Sequence, residues 1–125
     1  MVGKTGKNPA VGCVVIKKNE LVGIGATSQG GRPHAEENAL SMAGKNASGS
    51  TMYVTLEPCA MCAMAISLVG IKNLYFATED KKKGCVENGI RIFSSNSCHH
   101  EPNVFNGFYK KESDVLLKKF FSQRR

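Results

Sequence analysis

Residues 51–70 of this 125-residue chain, TMYVTLEPCAMCAMAISLVG, decide its fold. The first six of them alternate with β-branched and aromatic side chains, which is typical of a buried strand. Glu57 and Pro58 end this pattern, and the almost wholly apolar run from Cys59 to Leu68 then predicts a buried helix. A buried strand followed at once by a buried helix is the building unit of an α/β sheet.

Similar patterns lie on both sides of this segment. Upstream, the apolar residues 10–16 and 21–24 are separated by a polar break, so they predict two strands joined by a tight turn. The Gly- and Ser-rich residues 26–33 predict a loop, and the proline that ends the loop predicts a helix over residues 34–43. Downstream, residues 74–77 predict another strand.

Strands that alternate with helices predict an α/β protein, in which helices cover a central sheet on its faces. A last amphipathic helix is predicted from Glu112 to Ser122, where apolar residues recur at helical spacing. Hydrophobic residues make up 42% of the chain, which is enough for one continuous core. We therefore expect residues 1–125 to form a single domain.

Composition limits the cellular setting and the partners. No stretch reaches the roughly 20 apolar residues that a membrane-spanning helix needs, and the first residues lack a secretory apolar region. Five cysteines, two of them at metal-ligand spacing, fit a reducing compartment, so we expect a cytoplasmic protein without a membrane partner. The net charge of +7 would attract phosphates on a nucleotide or on a nucleic acid, and charge alone does not separate the two.

Three residues in two short motifs predict a zinc site. His34 opens His-Ala-Glu, and Cys59 and Cys62 belong to Pro-Cys-Ala-Met-Cys. One nitrogen and two sulfurs suit zinc, and three protein ligands leave the fourth tetrahedral position for water, as in catalytic sites. A helix that starts at Pro58 places both sulfurs on one face near its N-terminus, where the dipole favours thiolates.

Glu36 is the predicted catalytic residue. It follows His34 by two positions, so its carboxylate is free to face the water rather than the metal. In hydrolytic deamination, such a carboxylate accepts a proton from the activated water and passes it to the ring nitrogen and the leaving ammonia. The combination of His-x-Glu with Pro-Cys-x-x-Cys is the known signature of zinc-dependent nucleobase deaminases.

Two other interpretations of the cysteines and histidines are weaker. A lone Cys-x-x-Cys also occurs as a redox pair, but the accompanying His-x-Glu and Pro58 favour the metal site. A second metal site would need another cysteine pair at ligand spacing, so buried thiols and ordinary histidines are the expected state of Cys85, Cys98, His99 and His100.

With these residues, nearly the whole chain resembles the cytidine and deoxycytidylate deaminase superfamily. The resemblance implies a three-layer α/β/α sandwich of the cytidine deaminase type, with a mixed central sheet and helices on both faces. It also implies a hydrolase that acts on C–N bonds other than peptide bonds, with Zn²⁺ as cofactor, and a homodimer. Related enzymes begin with a helix that this sequence lacks, so we expect the fold without its first helix.

The two halves of the chain resemble different members of the superfamily. Residues 3–12, GKTGKNPAVG, and 30–40, GGRPHAEENAL, are similar to the deaminase of riboflavin biosynthesis, which acts on a diaminopyrimidine that carries a ribose phosphate. The resemblance implies that Asn8 helps to bind substrate. However, those enzymes carry a longer insertion between the cysteines that correspond to Cys59 and Cys62.

The C-terminal half resembles the bacterial tRNA adenosine deaminases, through PCAMCAMAI, FATEDKKKGCVENGIRIF and the final LLKKFFSQRR. This resemblance implies that Asp80, Lys82 and the basic C-terminal helix contact the anticodon arm of tRNA. Those enzymes have a longer loop before the histidine, with an asparagine near the position of Thr27. We also predict that Thr27 and Glu57 bind substrate.

Pocket contacts next to the reacting ring decide which base fits, so Asn8 and the 26–33 loop favour the pyrimidine ribotide of riboflavin biosynthesis. Three alternatives stay open. They are adenosine-to-inosine conversion at the tRNA wobble position, deamination of a free base, nucleoside or nucleotide, and a zinc-binding partner protein without activity.

Overall fold

The structure is a computed structural model that describes residues 10–96 and 98–107. Asn8 and the helix predicted over residues 112–122 lie outside the described residues. The described strands are β1 (Gly12–Lys17), β2 (Glu20–Ala26), β3 (Thr51–Leu56), β4 (Asn73–Thr78) and β5 (Asn103–Asn106). The helices are α1 (Ala35–Ala43) and α2 (Ala60–Val69), and short 3-10 turns span Gln29–Gly31, Gly44–Ala47 and Ile92–Ser94.

The five strands form one mixed sheet in the order β2-β1-β3-β4-β5. Strand β1 pairs antiparallel with β2 and with β3, whereas β3-β4 and β4-β5 are parallel. Helix α2 makes the crossover between the parallel strands β3 and β4, as parallel pairing requires. The α/β class and the mixed sheet predicted from the sequence are therefore confirmed.

The tight turn predicted between β1 and β2 is confirmed, and it consists of Lys18 and Asn19. Both residues have positive φ, at 52° and 64°. This combination is typical of the two-residue hairpin turn that matches the twist of the flanking strands, and asparagine tolerates it well.

Helix α1 lies unusually close to the sheet because two glycines of β2 face it. A Cβ atom on Gly23 would collide with the carbonyl oxygen of Ala39, and one on Gly25 would collide with that of Ala35. The alanines of α1 match these glycines, so small residues on both surfaces allow the close approach. The first turn of α1, which carries the predicted catalytic residues, is thereby fixed against the sheet.

The core lies between the sheet and the two helices. The strands contribute the alternate residues Cys13, Val15, Met52, Val54, Leu74 and Phe76, all at most 4% exposed. Helix α1 adds its alanines, and α2 adds Ala63 and Ile66 to the same cluster. Both helices therefore cover the same face of the sheet, and their first turns meet where β3 ends.

The opposite face carries an aromatic stack across three strands. The rings of Tyr53 and Tyr75 are stacked with centroids 4.7 Å apart, and those of Tyr75 and Phe105 are 4.6 Å apart. Aromatic pairs on neighbouring strands stabilise a sheet by about 0.2–1 kcal/mol each. Phe105, which stacks on Tyr75, keeps 45% of its surface exposed to solvent.

The predicted elements agree with the structure to within about two residues, with two informative differences. His34 and Cys59 precede their helices as N-cap residues instead of opening them, because both have extended ψ angles, 162° and 178°. Strand β5 was not predicted, since its sequence NVFN is short and polar at both ends. Pairing with β4 makes it a strand. In the described part of the chain, no helix has the length and apolar character needed to cross a bilayer.

Candidate active site

The three predicted metal ligands meet at the N-termini of α1 and α2. The ligand atoms of His34, Cys59 and Cys62 all lie within 4.8 Å of one another. His34 Nδ1 is 3.7 Å from Cys59 Sγ and 3.5 Å from Cys62 Sγ. Among the described residues, this is the one group of three or more His, Cys, Asp and Glu side chains arranged to hold a metal ion.

These separations fit a tetrahedral zinc ion. Zn–N and Zn–S bonds of about 2.0–2.3 Å at tetrahedral angles place nitrogen and sulfur ligands about 3.6 Å apart. The two N···S distances lie within 0.1 Å of that value. The donor set therefore fits zinc in composition and in spacing, with three protein ligands rather than four.

Local structure favours the thiolate form of Cys59. A hydrogen bond from Cys62, the backbone N–H groups of Met61 and Cys62, and the nearby His34 together lower the pKa of Cys59 to about 5, against the opposing effect of burial. These N–H groups belong to the first turn of α2, where a helix presents unpaired donors. A thiolate, rather than a thiol, is the form that binds zinc.

The backbone of His34 is held by Glu37. The His34 N–H donates to Glu37 Oε2 at 2.9 Å, a capping interaction across the first turn of α1. This bond fixes the point at which the chain enters the helix, and with it the metal ligand. The sequence carries a signal for this bond, because a glutamate three residues after the N-cap is typical of a capping box.

Glu36 is 5% exposed and lies beside the ligands. Burial raises the pKa of its carboxyl group to about 7, and the charge of Cys59 adds to this while His34 opposes it. A carboxyl group with a pKa near neutrality can both accept and donate a proton at physiological pH. Its position therefore suits the proton shuttle predicted from the sequence.

A cavity opens directly onto these residues. Its described lining comprises Val11, Thr27, His34, Ala35, Glu36, Leu56, Glu57, Cys59, Asp80 and Lys83. Thr27, 3% exposed, is fixed there by Val11, whose N–H donates to Thr27 Oγ1 at 2.9 Å. Thr27, Glu57 and Asp80, three of the predicted substrate-binding residues, thus lie around one cavity with the metal ligands.

The loop before α1 is tied to the helix by Asn38, which the sequence did not single out. Its Nδ2 donates to the carbonyl oxygen of Ala26 at 2.8 Å and to Ser28 Oγ at 2.9 Å. The 26–33 loop, which is predicted to select the substrate, is thereby anchored to the helix that carries Glu36 and begins next to His34. Only folding brings these partners to Asn38, so no sequence pattern identifies this residue.

The two residues predicted from the 80–82 segment occupy different positions. Asp80 lines the cavity, and its Oδ1 accepts the N–H groups of Lys82 and Lys83 at 3.1 and 3.0 Å. Of the two lysines, Lys83 belongs with Asp80 to the described lining of the cavity, whereas Lys82 does not. Both lysines are exposed. Lys83 is therefore a site residue that the sequence did not identify, although it is the next residue in the basic run.

Cys98 and His100 have structural partners. Cys98 Sγ lies 3.2 Å from Ser67 Oγ, and His100 accepts and donates to the same serine through its backbone, at 2.7 and 2.8 Å. The ring of His100 bonds the carbonyl oxygen of Ile71 at 2.8 Å. These bonds pin residues 98–100 to the end of α2.

Comparison with known families decides what kind of site this is. Residues 2–78, more than half of the chain, match the cytidine and deoxycytidylate deaminase zinc-binding region. The chain belongs to the cytidine and deoxycytidylate deaminase family. Its cofactor is zinc, and it is an enzyme, a hydrolase that acts on C–N bonds.

Relatives of this deaminase include proteins of both kinds that the sequence resembled. The tRNA-specific adenosine deaminase of Agrobacterium fabrum is 49% identical over 77 residues, which cover 62% of this chain and 51% of that protein. The diaminohydroxyphosphoribosylamino-pyrimidine deaminase of Buchnera aphidicola is 39% identical over 127 residues, which cover 97% of this chain and 84% of that protein.

A solved structure confirms the fold. It comes from a study of A-to-I editing by tRNA:A34 deaminases at the wobble position of transfer RNA. It is 37% identical with a TM-score of 0.77, and the match covers 86% of this chain and 84% of that one. The matched part of this deaminase spans only about half of the Agrobacterium relative, so the activity of such whole proteins is a matter for the proposal below.

Proposed function

We propose that this deaminase removes an amino group from diaminohydroxyphosphoribosylamino-pyrimidine, a pyrimidine that carries a ribose phosphate. The observation that carries the choice of substrate is the match to the Buchnera pyrimidine deaminase, which extends over 97% of this chain and 84% of that protein. The 49% identity with the Agrobacterium tRNA deaminase extends over a shorter segment.

The side chains of the cavity supply each part of such a reaction. Zinc, when bound by His34, Cys59 and Cys62, supplies a Lewis acid that makes water nucleophilic near neutral pH. Glu36 accepts one proton of that water as the new C–O bond forms at the amine-bearing carbon, and it gives this proton to the ring nitrogen. It then carries the second proton, from the added hydroxyl, to the amine, so that the C–N bond breaks, ammonia leaves, the carbonyl forms and the carboxylate is restored.

The charge at the cavity suits a phosphorylated substrate. Lys83 belongs to the lining, and Lys81 and Lys82 are exposed on the same turn. Lysine binds phosphate as a point charge. A ribotide would therefore place its ring near Glu36 and its phosphate towards this basic turn.

The same basic turn favours a second candidate, the wobble adenosine of tRNA. The three consecutive lysines of this turn, one of which lines the cavity, also suit the phosphates that flank an extruded nucleotide. The identity with the Agrobacterium tRNA-specific adenosine deaminase, 49% over 77 residues, supports this candidate.

A parallel assay of both substrates tests the proposal. Ammonia release by the zinc-loaded chain is measured with the pyrimidine ribotide and with an anticodon stem-loop that contains the wobble adenosine. We expect turnover of the ribotide and little of the RNA. Conversion of the RNA alone would transfer the function to tRNA editing, and Glu36→Gln serves as the inactive control for both substrates.

We propose further that the enzyme works as a homodimer in the cytoplasm. The superfamily resemblance supports the dimer, and the five free cysteines support the reducing compartment. Sedimentation of the zinc-loaded chain at micromolar concentration should give twice the mass of one 13.5 kDa chain. A monomer at that concentration would contradict the dimer.

A further inference from the structure

The carboxylate of Glu57 is buried next to the metal site and saturated with hydrogen bonds. The side chain is 3% exposed, and Glu57 precedes the ligand Cys59 by two residues. Its Oε1 accepts from Asp80 N at 3.0 Å and from Asn88 Nδ2 at 2.6 Å. Its Oε2 accepts from the backbone N–H groups of Val86, Glu87 and Asn88 at 3.0, 2.9 and 3.0 Å.

All five donors belong to one segment, residues 80–88, which we call the 80–88 loop. Glu57 therefore satisfies the N–H groups of a loop that has no helix or strand ladder of its own to pair them. Bonds from N–H groups to a buried carboxylate are stronger than those between neutral groups. The loop is folded around this one side chain.

The 80–88 loop also lies directly on the segment that carries Cys59. Cys59 forms an isolated antiparallel bridge with Gly84, and Cys85 N donates to the carbonyl oxygen of Pro58 at 3.0 Å. A Cβ atom on Gly84 would lie 2.7 Å from Glu57 Oε1, so only glycine permits this contact. The backbone of the 80–88 loop is thus paired with the backbone of Pro58 and Cys59.

The first turn of the loop contributes Asp80 and Lys83 to the lining of the cavity, beside Glu36. Glu57 Oε1 accepts the N–H of Asp80, and Asp80 Oδ1 in turn accepts the backbone N–H groups of Lys82 and Lys83. A chain of hydrogen bonds therefore runs from the buried carboxylate to the backbone of Lys83 at the cavity.

We propose that Glu57 is a positioning residue for substrate binding: it holds the 80–88 loop so that Lys83 and Asp80 face the substrate, and its own carboxylate does not contact the reacting atoms. Its carboxylate oxygens bond to the loop, and this role replaces the direct substrate contact expected from the sequence. This role rests on the deaminase activity and holds for either candidate substrate.

Glu57→Gln tests the role with the smallest change in shape. The glutamine amide can be placed in two orientations, and in each of them its NH₂ group faces at least two N–H donors. The loop therefore loses hydrogen bonds, and rotation of the glutamine amide does not restore them. The ligands and Glu36 are unchanged, so we expect the KM to rise about tenfold while kcat changes little. Glu87→Gln is the matched control, because it removes a charge from the same loop but keeps the backbone N–H.

A double-mutant cycle shows whether Glu57 acts through Lys83. We expect Lys83→Ala to raise the KM in the wild-type background and to have almost no further effect in the Glu57→Gln background. Additive effects of the two substitutions on the KM would overturn the proposal. If Glu57→Gln does not fold, Asn88→Ala, which removes one donor, takes its place in the cycle, with a smaller rise in KM.

Hydrogen exchange of the zinc-loaded chain decides the structural half of the proposal without any substrate. Glu57→Gln should accelerate exchange of the amides in the 80–88 loop, while those of α2 and the zinc content stay as in the wild type. Unchanged exchange in the loop, or an equal loss of protection in α2 together with zinc, would overturn it. If the wild type converts neither the ribotide nor the stem-loop, the proposed function fails, and this measurement still decides the role of Glu57.

Discussion

Cys59 meets three structural demands at once. It is the N-cap of α2, it offers a sulfur to the metal, and it pairs with Gly84 of the 80–88 loop. The hydrogen bond from Cys62 and the backbone N–H groups at the start of α2 lower the pKa of its thiol to about 5. Because the bridge uses backbone atoms, a change of side chain affects the metal and leaves the loop contact in place.

Cys59→Ser should therefore abolish zinc binding without removing the fold. A serine hydroxyl is a poor zinc ligand, so affinity should fall by more than the roughly 10–100-fold that loss of an outer partner costs. Metal analysis after dialysis against a weak chelator measures this. Cys98→Ser is the control, because serine can still bond Ser67 and His100, and full zinc retention by Cys59→Ser would contradict the ligand assignment.

At this scale, the sequence predicted the residues that react and missed those that hold them. His34, Glu36, Cys59 and Cys62 were predictable because zinc chemistry fixes both their types and their spacing. Asn38 and Lys83 were not, because their partners come from segments that only folding brings together.

At the scale of elements, the position of the site depends on how closely α1 lies to β2. Gly25 faces Ala35, the residue between the ligand His34 and the catalytic Glu36. Any side chain on this glycine pushes the first turn of α1 away from the sheet. The glycine contributes to catalysis only through that distance.

Gly25→Ala should destabilise the protein by about 1–3 kcal/mol, as an overpacked contact does, and lower the activity as well. Gly12→Ala in the neighbouring strand should cost little, since nothing lies within 4 Å of the Cβ it would add. Urea unfolding of both variants compares them. Equal stability of the two variants would show that α1 is not held against β2 in this way.

Elements with strong patterns were predicted well, whereas β5 was missed. Strand β3 was predicted with its observed bounds, Thr51–Leu56, because its residues alternate and are bounded by polar residues. The four residues of β5 have little pattern, and their pairing with β4 makes them a strand. Tertiary contact outweighs local propensity at such edges.

At the scale of the whole molecule, buried Glu36 couples stability to pH in the metal-free chain. Its pKa is raised from 4.5 to about 7, mainly by burial. Between these two pH values the folded chain keeps a proton that the unfolded chain has released. The contribution of Glu36 to the free energy of unfolding therefore falls as the pH rises through this window, whereas the contribution of Cys59, whose pKa is lowered, rises.

Urea unfolding of the reduced, metal-free chain at pH 5 and pH 8 tests this coupling. From pH 5 to pH 8, the free energy of unfolding should change less favourably in the wild type than in Glu36→Gln, whose side chain is neutral at both pH values. An equal change in the two proteins would mean that the carboxyl is not buried in the folded state.

A zinc ion would connect the two helices, because its ligands would come from the start of α1 and from the start of α2. The fold brings these helices together on one face of the sheet, and Glu36 lines the cavity beside the ligands. We propose that this centre performs hydrolytic deamination with Glu36 as the proton carrier.

Ammonia release by the zinc-loaded wild type and by zinc-loaded Glu36→Gln tests the role of Glu36 as the proton carrier. With equal zinc contents confirmed by metal analysis, we expect the variant to lose about 10³-fold in kcat, because glutamine fits the site but cannot accept a proton. Equal rates of ammonia release by the two proteins would contradict the role of Glu36 as the proton carrier.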